Sequence, residues 1–442
     1  MKLIFKELMK EYYFKLNMLS HLIDKYLIPQ ENEKKKNAEV STPYKLRQEM
    51  IGILDKNFFK SKKKVFEPCS GKGGFLIDII DQFMKELDIP DEELKYKTIV
   101  EECLYFSDIN PTNIFINKLL IDPHNKYKLN YNEGDTLKLN IKEKWNLDNF
   151  DLVIGNPPYN KEFNAAGASP LYNEFIEILI PLCSKLILII PSRWFSGGKG
   201  LDKFRKMMLN RKDIVMIKHF KNSKEVFGNF VNIAGGVNYF LIDKNYNGQC
   251  NFNNNLINLN KYDILVEGKY YDLIEKLSKY DNITTIYRGR YYNIESNDKR
   301  LTDNDNLIKC YVSKQKGFIK YIDGKYINDN YKIITSRANG NNNCFGNIFI
   351  GSSNEVHSGS YISFKVNNED EAKSLLSYLK CKLPNLMLSI RKISQDISEK
   401  TIKFIPLPPL NRIWNDNEIY SYFNLDENET KLINETKLKG YK

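Results

Sequence analysis

From Lys64 to about Asp243 the chain alternates short apolar runs with amphipathic stretches of helical spacing, and this alternation limits the folds open to it. Strands that take turns with helices pair in parallel, and the helices cover both faces of the sheet. The expected strands are Lys64–Glu67, Leu104–Ser107, Lys128–Glu133, Leu152–Gly155, Leu186–Pro191, Ile214–Phe220 and Gly236–Ile242. Upstream, residues from Met1 to about Leu27 carry apolar positions at helical spacing, and Glu31–Asn37 reads as a charged linker. Ser41-Thr42-Pro43 is expected to open a second helix, with a hydroxyl cap and a proline in the first turn. After Asp243, Asn-rich turns such as Asn251–Asn260 and Asn339–Asn343 break the pattern into shorter pieces. The predicted organisation is a helical segment over 1–40, a Rossmann-like doubly wound α/β domain over 41–245, and an α+β domain over 246–442.

Two places in the α/β region carry residues suited to chemistry. Phe150-Asp151-Leu152-Val153-Ile154-Gly155 reads as a buried strand that ends in Asn156-Pro157-Pro158-Tyr159, and open α/β sheets place their sites at such strand ends. Two prolines remove two N–H donors and leave carbonyl acceptors. An Asn side-chain oxygen beside a proline carbonyl makes a paired acceptor for an exocyclic NH2 group, and the Tyr offers a face on which a planar ring can stack. The other place is Val65-Phe66-Glu67-Pro68-Cys69-Ser70-Gly71-Lys72-Gly73-Gly74-Phe75, a strand, a glycine-rich turn and the start of a helix. Glycines there let the backbone approach a ligand at a helix N-terminus. Two strand-end carboxylates follow, Asp108 and Asp135. Such a residue can accept from ribose hydroxyls, and it can equally cap a helix.

Composition narrows the partners. The 442 residues hold 66 Lys and Arg against 55 Asp and Glu, a formal charge of +11 that suits a polyanion. The seven cysteines are scattered, with no C-x-x-C pair and no nearby His, which argues against zinc and against a disulfide framework. No apolar run approaches the roughly 18 residues of a membrane span, and Met1–Lys10 lacks a signal-peptide core. A soluble, cytoplasmic protein without membrane or metal is expected.

The order of these elements resembles that of the N6-adenine DNA methyltransferases of the Asn-Pro-Pro-Tyr type, in particular those of type II restriction–modification systems. Thr42-Pro43 comes first, then the E-P-x-x-G-x-G-x-F turn, then Asp108 and Asp135, and finally Asn156–Tyr159. The resemblance implies S-adenosyl-L-methionine as cofactor. It assigns Thr42, Glu67, Pro68, Gly71 and Gly73 to the methionine end, Asp108 to the ribose, and Ile109 and Asp135 to the adenine, with Asn156 shared by cofactor and substrate. Asn156 and Pro157 would hold the target amine, with Pro158 and Tyr159 completing the catalytic loop and Tyr159 stacking on the base. Double-stranded DNA is then the substrate, and the target adenine must leave the helix to reach such a pocket. Glu225-Val226-Phe227-Gly228 resembles the family segment that supplies a second aromatic wall, with Phe227 the choice, Phe230 the alternative, and a core role open for either.

Looser resemblance continues through Arg391-Lys392-Ile393-Ser394 and Phe404-Ile405-Pro406, which makes 246–442 the expected target-recognition domain. Arg288, Arg290, Arg337, Arg391 and Lys392 are its candidate DNA contacts. Asp263 to Lys269 has a carboxylate followed by E-x-K, but it is short and reads as a linker strand rather than a nuclease metal site. A cognate restriction endonuclease is an expected partner. The same tetrad serves amine methylation of cytosine N4, of RNA and of protein glutamine, and a catalytically silent DNA-binding protein is the reading from another class.

Overall fold

The computed structural model describes residues 15–27, 40–161, 169–196, 198, 200–228, 233, 235–323, 330–340, 342–392 and 395–441. The chain divides into two compact units, Met1–Gly268 and Lys269–Lys442.

The first unit is built on a sheet of nine strands: β1 (Val65–Glu67), β2 (Leu104–Asp108), β3 (Asn130–Glu133), β4 (Phe150–Gly155), β5 (Cys183–Pro191), β6 (Ile214–Phe220), β7 (Val237–Asp243), β8 (Cys250–Phe252) and β9 (Asn255–Ile257). Their order is β3-β2-β1-β4-β5-β7-β6-β8-β9. Strands β1 to β5 pair in parallel, and β7 runs antiparallel between β5 and β6. The seven expected strands are all present, with ends moved by a few residues. β4 is buried along almost its whole length, as a strand covered on both faces must be.

The first unit runs past the expected boundary at 245. β8 pairs in parallel with β6 and β9 antiparallel with β8, so the Asn-rich stretch continues the large sheet. The added strand satisfies backbone groups that β6 would otherwise expose along its edge. Polar composition hid these two strands.

Five helices matter for the site: α1 (Leu16–Tyr26), α2 (Tyr44–Ile51), α3 (Gly74–Glu86), α4 (Pro111–Ile121) and α5 (Tyr172–Leu179). The helix expected from Met1 is described from Leu16 onward, and residues 1–14 lie outside the described residues. α2 corrects the expected cap. Its N-cap is Pro43, with no side-chain cap bond, and the Ser41 and Thr42 hydroxyls play no part in one. Asp24 of α1 does the work from a distance, its Oδ2 accepting from the Tyr44 N–H at 2.5 Å.

The second unit carries a four-stranded sheet, β10 (Tyr287–Arg288), β16 (Tyr361–Val366), β13 (Tyr331–Ser336) and β14 (Ile348–Gly351), paired antiparallel in that order. A three-stranded sheet joins β12 (Ile319–Ile322), β11 (Ile308–Tyr311) and β15 (Val356–His357). Helices then dominate from Glu369 to Glu435, which agrees with the α+β expectation. Among the described residues no helix is long and apolar enough to cross a membrane.

Candidate active site

Strand order reverses between β1 and β4, because β2 and β3 lie to one side of β1 while β4 and β5 lie to the other. At such a point the two connecting loops diverge and leave a crevice beyond the carboxyl ends of the strands. β1 delivers the glycine-rich turn and β4 delivers Asn156–Tyr159, so the two informative stretches of sequence flank one crevice. Its cavity measures about 880 Å³, within the roughly 300–1,000 Å³ of small-molecule sites.

The glycine-rich turn is held by its neighbours. The Ser70 N–H donates to the Ser107 carbonyl at 2.9 Å, and Asn117 of α4 donates to the Ser70 hydroxyl at 2.7 Å. Gly73 caps α3 with φ +85°, and a Cβ there would lie 2.5 Å from the Asn117 oxygen. Glycine is thus required twice at that position, once for conformation and once for space.

Acidic and amide residues line the cavity, Glu67, Asp108, Asp135 and Asn156 among them. Glu67 is 2% exposed, and its Oε2 has no hydrogen-bond partner. Burial pushes its carboxyl well above the usual carboxylate range, with the Arg47 charge opposing. Asp108 accepts from the Gly71 and Asn110 N–H groups, each at 2.8 Å, and from the Asn113 amide at 3.2 Å. Burial raises its carboxyl against those donors. The cap of α4 is Asn110, so Asp108 is not spent on capping. Asp135 does cap a short turn, accepting from the Leu137 N–H at 3.0 Å, and it also lines the cavity. Asn156 completes the set, its Nδ2 donating to the Val40 carbonyl at 3.0 Å while its Oδ1 is buried without a partner.

Thr42, Pro68, Gly71, Ile109, Pro157, Pro158 and Tyr159 also line the cavity. Ile109 is exposed at its lip, and Tyr159 is buried with its hydroxyl unpartnered. Burial pushes the Tyr159 phenol up. Phe227 is placed elsewhere: it packs in the apolar core with Val237 and Tyr239 and does not line the cavity. Its burial there is the core role that the sequence left open for it. Phe230 lies outside the described residues.

Among the cavity residues that the sequence did not single out is Arg47. Arg47 of α2 is 2% exposed and pairs with Asp78 of α3 at 2.6 Å and Asp24 of α1 at 2.7 Å. Its partners lie far away in sequence, so no spacing betrays it. Asp78, a carboxylate inside the apolar run Phe75–Ile80, was the available signal, since a buried acid requires a partner.

In the second unit the candidate cations separate into two groups. Arg288 and Arg290 are exposed, and Arg337 is half-exposed, its Nε 3.9 Å from Asp396. Beside them Tyr291 is 57% exposed, with the Lys365 Nζ 3.8 Å from its ring centroid. Arg391 and Lys392 are buried. Arg391 donates to the Lys400 carbonyl at 2.6 Å and lies over the Phe404 ring. Lys392 donates to the Asn342 carbonyl at 2.6 Å, and burial pushes its ammonium down to about 8. Ile393 and Ser394, quoted with them above, lie outside the described residues.

Comparison with known proteins adds a family. Residues 89–227 match the Eco57I restriction-modification methylase family. A protein of Mycoplasma pneumoniae described as an uncharacterized adenine-specific methylase is 28% identical over 155 residues, 34% of this chain and 36% of that protein. The matched stretch is therefore little more than a third of that relative. Among solved structures, the type IIG restriction endonuclease BpuSI overlaps 92% of this chain and 62% of its own, with TM-score 0.42 and 12% identity. A type I restriction-modification methyltransferase subunit from Streptococcus thermophilus overlaps 55% and 54%, with TM-score 0.37 and 15% identity. These overlaps are partial. The similarity is thus to the Eco57I restriction-modification methylase family over residues 89–227 and, over 155 residues, to a protein described as an adenine-specific methylase.

Proposed function

We propose that the protein is a site-specific DNA methyltransferase that transfers a methyl group from S-adenosyl-L-methionine to the N6 amino group of adenine. The observation that carries this reading is the unpartnered Asn156 Oδ1, buried in the same cavity as Glu67, Asp108 and Asp135. A buried acceptor without a donor is costly, and an incoming amine removes that cost.

The cavity suits the cofactor by its donor set. Glu67 Oε2 is a buried oxygen without a hydrogen-bond partner, and the ammonium at the methionine end of the cofactor would favour the ionised carboxylate there. Asp108 already accepts three bonds, yet a carboxylate has about four acceptor positions and keeps room for a ribose hydroxyl. Asp135 and Ile109 would meet the adenine, and Thr42 the methionine end, across the cavity. When bound, the cofactor supplies an electrophilic methyl group, and the protein supplies position and electrostatics.

Asn156 Oδ1 and the Pro157 carbonyl are acceptors for the two hydrogens of the target amine. Held by both, the nitrogen keeps its lone pair for attack rather than for conjugation with the ring. Tyr159 presents its ring to the base. A duplex substrate must flip the adenine out, a step favoured by a pocket that stacks and pairs with the extruded base. Arg288, Arg290 and Arg337 are the cations proposed to meet DNA, and a restriction endonuclease acting on the same site is the proposed cognate partner.

The test is incubation of the protein with mixed-sequence duplex DNA and S-adenosyl-L-methionine, followed by digestion and mass spectrometry of the nucleosides. N6-methyladenine is expected with the wild-type protein and absent with Asn156→Ala. Cofactor binding without any methylated DNA base would overturn the reading and point to RNA or protein glutamine.

A further inference from the structure

Asn156 has an amide whose two ends are alike in shape and opposite in chemistry. Its orientation decides whether the substrate amine meets an acceptor or a competing donor. The Val40 carbonyl, 3.0 Å from Nδ2, can only accept, so it fixes the NH2 end on itself and leaves Oδ1, the acceptor end, buried without a partner. The position of the Val40 carbonyl is therefore part of the catalytic geometry.

Residues just after Val40 are pinned at two points. The Thr42 carbonyl accepts from Arg47 Nη1, and the Tyr44 N–H donates to Asp24 Oδ2. Arg47 in turn spends its planar fork inside the protein: Nε on Asp78 Oδ2 at 2.6 Å, Nη1 on Asp24 Oδ1 at 2.7 Å, and Nη2 on Ser20 Oγ at 2.8 Å. Ser20 closes the ring by donating to Asp78 Oδ1 at 2.5 Å. One guanidinium thus ties α1, the segment before α2, and α3. Gly74 makes room for it, since a Cβ there would lie 2.8 Å from Arg47 Cζ. The second of the adjacent glycines in the turn serves this arginine.

We propose that Arg47 is a positioning residue for methyl transfer: through the Thr42 carbonyl and Asp24 it sets the segment after Val40, so that the Val40 carbonyl holds the Asn156 amide nitrogen and Oδ1 faces the substrate amine. This rests on the reading of Asn156 as the amide that binds the target amine. Lysine cannot replace Arg47, because a single ammonium lacks the fork that reaches three elements at once.

The experiment uses full-length protein labelled with 15N, with the Asn156 side-chain NH2 resonances assigned by their loss in Asn156→Ala. In the wild type these protons are expected to exchange slowly with water. In Arg47→Lys they should exchange rapidly, and kcat should fall about 100-fold, the scale on which a misplaced catalytic group acts, with the KM for DNA unchanged. Asp24→Asn, which keeps the shape of its side chain and lies partly exposed, covers the case in which Arg47→Lys fails to fold, and should show the same two effects in weaker form. Unchanged amide exchange and unchanged kcat in folded variants, with only a lower melting temperature, would overturn the inference. The amide signal reports on positioning even in a protein that methylates no adenine, so failure of the reaction reading is seen separately.

Discussion

Tyr159 carries a ring and a hydroxyl with separate consequences. The ring lines the cavity, whereas the hydroxyl is buried without a partner. An unsatisfied buried hydroxyl costs about 1–3 kcal/mol. Tyr159→Phe is therefore expected to leave kcat within about threefold while holding or raising the melting temperature. Tyr159→Ala should weaken binding of the target base by roughly 1–3 kcal/mol, the scale of a base–aromatic stack. Thermal unfolding together with steady-state kinetics on both variants checks this, and a Phe variant as damaged as the Ala variant would assign the hydroxyl a direct role. At this scale the sequence is readable where chemistry sits at a strand end: Glu67, Asp108, Asp135 and Asn156 all reach one cavity. It is unreadable where a residue depends on partners remote in the chain. Arg47 is such a residue, and Phe227 is the converse, an aromatic that suited a site by its position yet packs in the core.

Among elements, the turn between β1 and α3 bears the tightest demands. Gly73→Ala adds a methyl group against the Asn117 oxygen and forces a left-handed conformation on a residue with a Cβ. The conformation alone costs about 1–2 kcal/mol, and displacement of Asn117 also frees the Ser70 hydroxyl it holds. A stability loss of at least that size in urea unfolding is expected, with weakened cofactor binding in calorimetry. An unchanged midpoint would show that the turn relaxes. Central strands of the alternating region were legible because strands covered on both faces carry unbroken apolar runs, as β4 does over 152–154 and β5 over 186–190. β8 and β9 were not, because two short strands beside an edge need few apolar residues and lie among asparagines. The start of α2 was legible, but its cap was not, since the Asp24 carboxylate comes from another helix.

Over the whole molecule, a formal charge of +11 favours a polyanionic partner, and burial decides which cations can reach it. Arg288 and Arg290 stand exposed beside Tyr291 in the second unit, whereas Arg391 is buried and bonded to the Lys400 carbonyl. Removing either exposed arginine should lower DNA affinity and reduce the slope of log affinity against log salt by about one. Arg391→Ala should leave that slope alone and lower the melting temperature. Titrations across a salt series, with thermal unfolding of the same samples, separate the two outcomes, and an altered slope for Arg391→Ala would return it to the surface. The order of apolar runs and turns was enough to determine a mostly parallel, covered sheet and the two loops at its strand ends, because strand formation and loop chemistry are written in local patterns. Tertiary structure alone decided which cations are buried, where the first unit ends, and how Arg47 and Val40 orient Asn156. Those outcomes depend on desolvation and on contacts between residues remote in the chain, which no local pattern records.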